Sequence, residues 1–280
     1  MVLGLLAALA AAVAYGVASV LQAVGTRRLE SGSVDARFLL RLARSLPYVA
    51  GLALDAAGFV ATVVALRVLP LFVVESAVAA SVGVTALVAA RFLGARLGRS
   101  DRIALVVLGA GLVALALSAQ AEGGEPLSRG GQWAVLLLAL AVAAGTAVLA
   151  RSPSGGAPLL AVAAGLGFSA VGVAARALQP PSPWWRLVAE PLLWALVVGG
   201  AVALIAYATA LQRGAVTVVA AVTFAVETVV PAVAGYALLG DRARPGFLPV
   251  AVAGLLLTLG AAIALSRHSE PEASAAVTVG

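Results

Sequence analysis

The sequence predicts an all-α, polytopic membrane protein of about nine transmembrane helices. Of the 280 residues, 62% are hydrophobic and 11% are charged, whereas soluble domains carry about 25% charged residues. Apolar stretches of about 18 to 25 residues recur along the chain, each long enough to cross about 30 Å of hydrocarbon. Membrane-spanning strands would be shorter and would alternate in polarity. We therefore expect helices surrounded by lipid.

Segments rich in proline, glycine or charge separate the apolar stretches and disfavour continued helix. The predicted spans are 2–25, 46–66, 70–90, 103–118, 133–150, 157–175, 191–211, 215–239 and 247–266. No basic segment precedes the first span, and it is too long for the apolar core of a signal peptide. We therefore expect it to be a retained helix.

An internal repeat is indicated by two similar stretches. Arg67 precedes a span that ends in Gly-Ala-Arg at 94–96, and Arg213 precedes a span that ends in Gly-Asp-Arg at 240–242. Many secondary transporters consist of two such bundles inserted in opposite orientations. The alternative is chance similarity among helices of low complexity. The repeat predicts two inverted four-helix repeats joined by a linking helix.

The predicted organisation has four parts. They are a first transmembrane repeat over 1–120, a linker and connecting helix over 121–156, a second transmembrane repeat over 157–266, and a disordered tail over 267–280. The tail is polar and then rich in small residues, so it has little to pack against a core.

The arginines predict how the chain is oriented, because basic residues accumulate in cytoplasmic loops. With an external N-terminus, the cytoplasmic side receives Arg27, Arg28, Arg37, Arg41, Arg44, Arg91, Arg96, Arg99, Arg102, Arg151, Arg213 and Arg267. The external side receives Arg67, Arg129, Arg176, Arg186, Arg242 and Arg244. This asymmetry favours an external N-terminus and a cytoplasmic C-terminus in the cell (plasma or inner) membrane.

The composition argues against enzymatic and nucleic-acid functions. The chain has no cysteine, and its one histidine, His268, follows the last apolar stretch, so thiolate metal sites and histidine catalysis are not expected. The glycines at 109 and 111 lie inside an apolar helix rather than after a strand, so they do not form a dinucleotide loop. We predict no enzyme activity, no cofactor and no nucleic-acid partner.

Three acidic residues lie inside apolar spans, where a charge costs about 2.5 to 3.5 kcal/mol. They are Asp55, Glu75 and Glu227. Their functional interpretation is ion coordination, proton coupling or recognition of a cation, and they are candidate metal ligands. The alternatives are a structural ion pair or a carboxyl kept neutral by burial, and Arg67 is close enough in sequence to neutralise Glu75. We predict that Asp55 and Glu227 face a common polar cavity.

Several hydroxyl and amide side chains in the same spans could add ligands or hydrogen bonds. The site candidates are Tyr15, Thr62, Ser81 and Tyr207, and further polar residues of the spans are Gln22, Thr209 and Thr223. Such residues also serve as packing contacts between membrane helices, which is the alternative for each of them.

The chain resembles the drug/metabolite transporter superfamily. The clearest stretch is 51–97, whose matching positions are Gly51, Gly58, Pro70, Val74, Ala79, Ser81, Val82, Leu93, Arg96 and Leu97. The layout is most similar to the NIPA-type magnesium transporter branch, and the second repeat, 207–242, looks more like EamA-type exporters. The NIPA pattern has Glu and Asn where this chain has Phe59 and Thr62, and Asp55 lies one helical turn before Phe59.

The resemblance implies a secondary transporter of a small solute or divalent cation, with magnesium as the NIPA-like substrate. The alternatives are metabolite or drug export by an EamA-type protein, and a non-transporting membrane scaffold. Membrane lipid is the expected surrounding partner. The sequence leaves open whether the chain forms a homodimer.

Overall fold

The computed structural model consists of helices and the segments that connect them. It describes residues 1–27, 44–93, 97–120, 126–151, 156–179, 181–214 and 216–268. Within these ranges, nine helical segments are long and apolar enough to cross a membrane. The predicted all-α, polytopic membrane fold is confirmed. The predicted tail beyond His268 lies outside the described residues.

The helices follow the predicted spans closely. They are α1 (Val2–Arg27), α2 (Leu46–Leu66), α3 (Leu71–Ala79), α4 (Ser81–Phe92), α5 (Arg99–Ser118), α6 (Arg129–Arg151), α7 (Ala157–Ala177), α8 (Pro191–Arg213), α9 (Val216–Leu238) and α10 (Leu248–His268). A short 3₁₀ helix, Trp184–Ala189, precedes α8. The helices α5 and α6 each begin four residues before the predicted span, because the helix starts in polar residues that precede its apolar part.

The third predicted span is present as one membrane-crossing segment, Leu71–Phe92, and its regular helix is interrupted only at Ala80, which keeps right-handed helical backbone angles between α3 and α4. Ser76 Oγ donates to the carbonyl of Phe72 at 2.7 Å, and Thr85 Oγ1 donates to the carbonyl of Ser81 at 3.0 Å. Hydroxyl groups that bond back to the preceding turn often bend helices. The two bonds flank Ala80, but the same kind of bond is made by Thr62 and Ser169 within unbroken helices, so these bonds alone do not specify the break.

The helices pack as two similar groups. We call α1–α5 the N-terminal unit and α7–α10 the C-terminal unit, with α6 packed on α7 and α8. In the N-terminal unit α1 packs on α2 and α4, and in the C-terminal unit α7 packs on α8 and α9 in the same way. The two units meet where α5 packs on α10 and where α3 packs on α9. Each of these contacts joins equivalent helices, which is the pattern that two related units would produce.

Contacts between helix ends define one face of the bundle. Arg244, which follows α9, reaches Met1 at the start of α1, and its backbone N–H donates to the carbonyl of Ser118 at the end of α5. Ala119 and Ala243 form a β-bridge beside these contacts. The starts of α1, α3 and α10 and the ends of α2, α5, α7 and α9 therefore lie on one side, which we call the Met1 side.

Glycine allows the closest approach between the units. A Cβ at Gly111 of α5 would lie 2.8 Å from the backbone nitrogen of Thr258 and 3.0 Å from the carbonyl oxygen of Gly254, both in α10. A side chain at this position would force the two backbones apart, so the glycine sets the spacing between α5 and α10.

Candidate functional site

Two of the predicted acidic residues meet at the interface between the units. Glu75 lies on α3 and Glu227 lies on α9, and each residue is intermediate between buried and exposed. The carboxylates are close enough that the charge of Glu227 acts on Glu75. The structure therefore brings together one carboxylate from each unit, in the region where α3 packs on α9.

Neither carboxylate has a hydrogen-bond or salt-bridge partner among the described residues. Arg67, which the sequence suggested as a partner for Glu75, instead donates to the carbonyl of Leu178 at 2.7 Å. That proposed pairing is wrong, because the guanidinium extends along the Met1 side toward the end of α7. In the part of the chain that the structure describes, neither carboxylate is therefore neutralised by an arginine.

Pro231 changes the backbone beside Glu227. It lies inside α9, four residues after Glu227, and it has no N–H to donate to the carbonyl at that distance. The Glu227 carbonyl therefore lacks its usual helical donor. A carboxylate and a carbonyl of the same residue are both available as oxygen ligands on this turn of α9.

Gly172 of α7 lies directly against the Glu75 carboxylate. A Cβ built at Gly172 would overlap Glu75 Oε1. Glycine is therefore needed for Glu75 to occupy its observed position between α3 and α7. Gly172 was not recognisable from the sequence, because it lies in a helix that contains several other glycines.

The two predicted tyrosines lie on the N-terminal and C-terminal sides of the carboxylate pair. Tyr15 of α1 is within electrostatic range of Glu75 and also of Asp55, and Tyr207 of α8 is within range of Glu227. Each tyrosine is partly exposed. Each carboxylate of the pair therefore has one phenol from its own unit nearby.

Thr62 and Gly58 position the Tyr15 ring. The ring packs against Gly58 of α2, where an added Cβ would lie 3.1 Å from the ring. Thr62 Oγ1 donates to the carbonyl of Gly58 at 2.9 Å and lies 3.5 Å from the Tyr15 hydroxyl. Thr62 is buried, so it supports the tyrosine rather than facing an open cavity.

Asp55 lies apart from the pair, on the helix face that contacts α1. Its carboxylate accepts a hydrogen bond from Nε2 of Gln22, and its side chain is partly exposed. Tyr15 is the residue that connects Asp55 with Glu75, since both charges act on it. The contacts thus place Asp55 with Gln22, while Glu227 interacts with Glu75.

The remaining polar candidates have different surroundings. Ser81 is partly exposed at the start of α4, and it stands 146 residues before Glu227, the same spacing that separates Arg67 from Arg213. Thr209 donates to the carbonyl of Ile205 in its own helix. Thr223 is buried and donates to the carbonyl of Ala161. In the predicted repeat, Ser81 is therefore the counterpart of Glu227.

The arrangement suits a single positive charge or a partly hydrated ion. In the described part of the chain, no three acidic or histidine side chains are grouped so that they could hold a metal ion. Mg²⁺ usually keeps several waters and uses one or two carboxylates. The pair, with nearby phenols and a carbonyl, could therefore bind a proton, a monovalent cation or a hydrated divalent cation.

A buried ion pair on the Met1 side was not recognised from the sequence. Arg176 Nη2 lies 2.7 Å from Asp241 Oδ1, and both side chains are 1% exposed. Arg176 was predicted only as a charge at a helix end on the external side. The one feature of the sequence that could have indicated this pair is Asp241 itself, because it is the acidic residue in the repeated Gly-X-Arg motif.

Comparison with known proteins gives no relative from which a function could be transferred. No protein-family model, curated protein or solved structure matches the chain. The functional interpretation therefore depends on the residues and contacts described above.

Proposed function

We propose that this chain is a secondary membrane transporter that binds a cationic solute or coupling ion between Glu75 and Glu227. The observation that carries the proposal is the meeting of two carboxylates, one from each unit, at the α3–α9 contact. Placing acidic residues inside a membrane is costly, and such residues generally mark ion or substrate pathways. A passive scaffold would gain nothing from this pair.

Electrostatics explains why the site would take a cation or a proton. Two like charges that interact inside a protein repel each other, and the repulsion grows as their separation falls. A cation between them, or a proton on one of them, removes this repulsion. The carboxylates come from different units, so their separation would change if the units moved, and binding would then be coupled to the conformation.

The family resemblance and the site together support a transporter of the drug/metabolite superfamily. Within it, magnesium transport would use the two carboxylates with ordered waters, Tyr15, Tyr207 and the Glu227 carbonyl as outer ligands. Export of a cationic metabolite or drug would use the same pair as a counter-charge. The proposal places the protein in the cell membrane with an external N-terminus.

Flux into proteoliposomes tests the proposal. Purified protein would be assayed with Mg²⁺, other divalent cations, organic cations and amino acids, each with and without a proton gradient. We expect saturable flux of at least one cation, and loss of that flux in Glu75→Gln and Glu227→Gln. The amide removes the charge and preserves the size of each side chain.

A matched control is provided by Glu190→Gln. Glu190 pairs with Arg129 at 2.7 Å, and the arginine side chain is 56% exposed, so this pair contributes little. The control should transport as the unmodified protein does. Asp55→Asn should reduce flux less than the pair variants, because its amide can still bond to Gln22. Unchanged flux in both Glu75→Gln and Glu227→Gln would refute the site.

A further inference from the structure

The buried ion pair on the Met1 side joins the two units. Asp241 Oδ2 accepts from the backbone N–H of Leu71 at 2.6 Å, and Nη1 of Arg176 donates to the carbonyl of Leu66. Both charged residues belong to the C-terminal unit, and both backbone partners belong to the N-terminal unit. We call Arg176, Asp241 and these two backbone groups the latch.

Further hydrogen bonds on the same side connect the units. Arg67 donates to the carbonyl of Leu178 across the interface, and Arg244 Nε donates to the carbonyl of Ala119 at 3.0 Å. All of these bonds lie at the ends of helices on the Met1 side. The latch is their buried centre, because both of its charged side chains are almost completely inaccessible.

The latch lies directly above the carboxylate pair. Leu71 and Glu75 are one helical turn apart on α3, and Gly172 and Arg176 are one turn apart on α7, which corresponds to about 6 Å along each axis. Gly172 contacts Glu75, and Asp241 contacts Leu71. Two successive layers therefore form between α3 and α7, with the latch nearer the Met1 side.

Exposure differs between the two layers. Glu75 and Glu227 are partly exposed, whereas Arg176 is 5% and Asp241 is 4% exposed. The latch is therefore more completely enclosed than the carboxylates one turn away from it. The carboxylates are separated from the Met1 side by a layer of buried polar contacts.

We propose that the latch is a reversible gate that closes the path from the carboxylate pair to the Met1 side. The inference rests on the proposed function, since a gate has meaning only for a transporter. A buried ion pair contributes little net stability, because burial removes the hydration of both charges. When the latch opens, water can hydrate both charges again. The free-energy cost of separating these contacts is therefore lower than their number suggests.

A cysteine pair tests the gate directly in this cysteine-free chain. A Cβ at Gly235 of α9 would lie 3.2 Å from the Cβ of Leu71 on α3, slightly less than the separation of about 3.5 to 4.5 Å in disulfides. It would also lie 2.5 Å from Oδ2 of Asp241, so the Asp241 side chain must shift in this variant, and the comparison is made between its own oxidised and reduced forms. Oxidised Leu71→Cys/Gly235→Cys should form the disulfide and lose flux, and reduction should restore it. Unchanged flux in the fully oxidised protein would overturn the gate.

The control pair lies on the same side but within one unit. A Cβ at Gly4 of α1 would lie 3.4 Å from the Cβ of Val68. Oxidised Gly4→Cys/Val68→Cys should transport at the same rate as its reduced form. Equal inhibition of the control and test pairs would also count against the gate, because it would show that any added disulfide on this side stops transport.

Thiol accessibility gives a readout that does not require flux. Val78→Cys is a reporter one turn below Glu75 on α3, and Val78 is partly exposed. In vesicles of known orientation, Asp241→Asn should raise its labelling from the Met1 side by an impermeant maleimide about tenfold, and Glu190→Gln should not. A tenfold change corresponds to about 1.4 kcal/mol.

The two readouts separate failure of the gate from failure of the proposed function. Absence of any cation flux in the unmodified protein would reject the transporter, while the labelling would still decide whether the latch seals the Met1 side. Unchanged labelling in Asp241→Asn would reject the seal even if transport is intact. If Asp241→Asn does not fold, the oxidised and reduced states of the Leu71→Cys/Gly235→Cys pair decide the question.

Discussion

Replacing Gly172 by alanine should impair transport without unfolding the protein. The added methyl group would overlap Oε1 of Glu75, so the carboxylate must move away from α7. The overlapping atom is the end of a flexible side chain rather than backbone. We therefore expect Glu75 to rotate and α3 and α7 to keep their positions.

The effect on stability should be small because two terms oppose each other. Alanine is favoured over glycine in a helix by about 1 kcal/mol, and moving Glu75 off its preferred rotamer costs about 0.5 to 1.5 kcal/mol. The net change should stay within about 1 kcal/mol, or roughly 2 to 4 °C in thermal midpoint. Flux should fall about tenfold or more, because displacing a positioned group by about 1 Å has a large effect.

Gly260→Ala is the matched control for this prediction. Gly260 lies in α10, and no atom lies within 4 Å of a Cβ built there. Thermal unfolding in detergent and cation flux would be measured for both variants. If Gly172→Ala transports as fast as Gly260→Ala, the position of the Glu75 carboxylate does not matter for transport, and the reasoning that places it in the site fails.

Three further predictions concern packing, orientation and the protein surface. Gly111→Ala should lower the unfolding free energy by about 1 to 3 kcal/mol, measured by thermal unfolding, because of its contacts with the backbone of α10, whereas Gly109→Ala, which has open space around it, should not. Gly98→Cys should react with a permeant but not an impermeant maleimide in intact cells, and labelling by the impermeant reagent would reverse the proposed orientation. Arg129→Gln should change the unfolding free energy by less than about 1 kcal/mol, since its ion pair is exposed.

The sequence was sufficient to predict the helices because their length and apolarity reflect the membrane itself. The errors lie at the ends and at one break. The helices α5 and α6 begin with polar residues, at Arg99 and Arg129. A search for apolar stretches omits these residues although their backbone is helical. The break at Ala80 had no signal in the sequence, because hydroxyl-to-carbonyl bonds like those of Ser76 and Thr85 also occur within unbroken helices.

The site was predicted only in part, because sequence gives the depth of a residue but not the direction it faces. Asp55, Glu75 and Glu227 were all recognisable as charges within spans. That Glu75 meets Glu227 depends on the rotation of α3 and α9 where they pack together, which no local pattern specifies. Arg176 was assigned to a helix end by its depth, and only the tertiary structure shows that it is enclosed with Asp241.

Several long-range ties in this protein pair an arginine with a main-chain oxygen. The donors and acceptors are Arg67 with Leu178, Arg176 with Leu66, Arg213 with Leu149 and Ala150, and Arg244 with Ala119. Every amino acid carries the same carbonyl, so the acceptor positions are free to vary while the guanidinium, with its several fixed donors, is not. Related sequences could therefore vary at the acceptor position without losing the hydrogen bond. Coevolving residue pairs would not reveal them, and a saturation mutagenesis screen should find that the arginines tolerate no substitution, while the acceptor positions are limited only by the packing of their own side chains, as at Leu66 and Ala119 in the buried core.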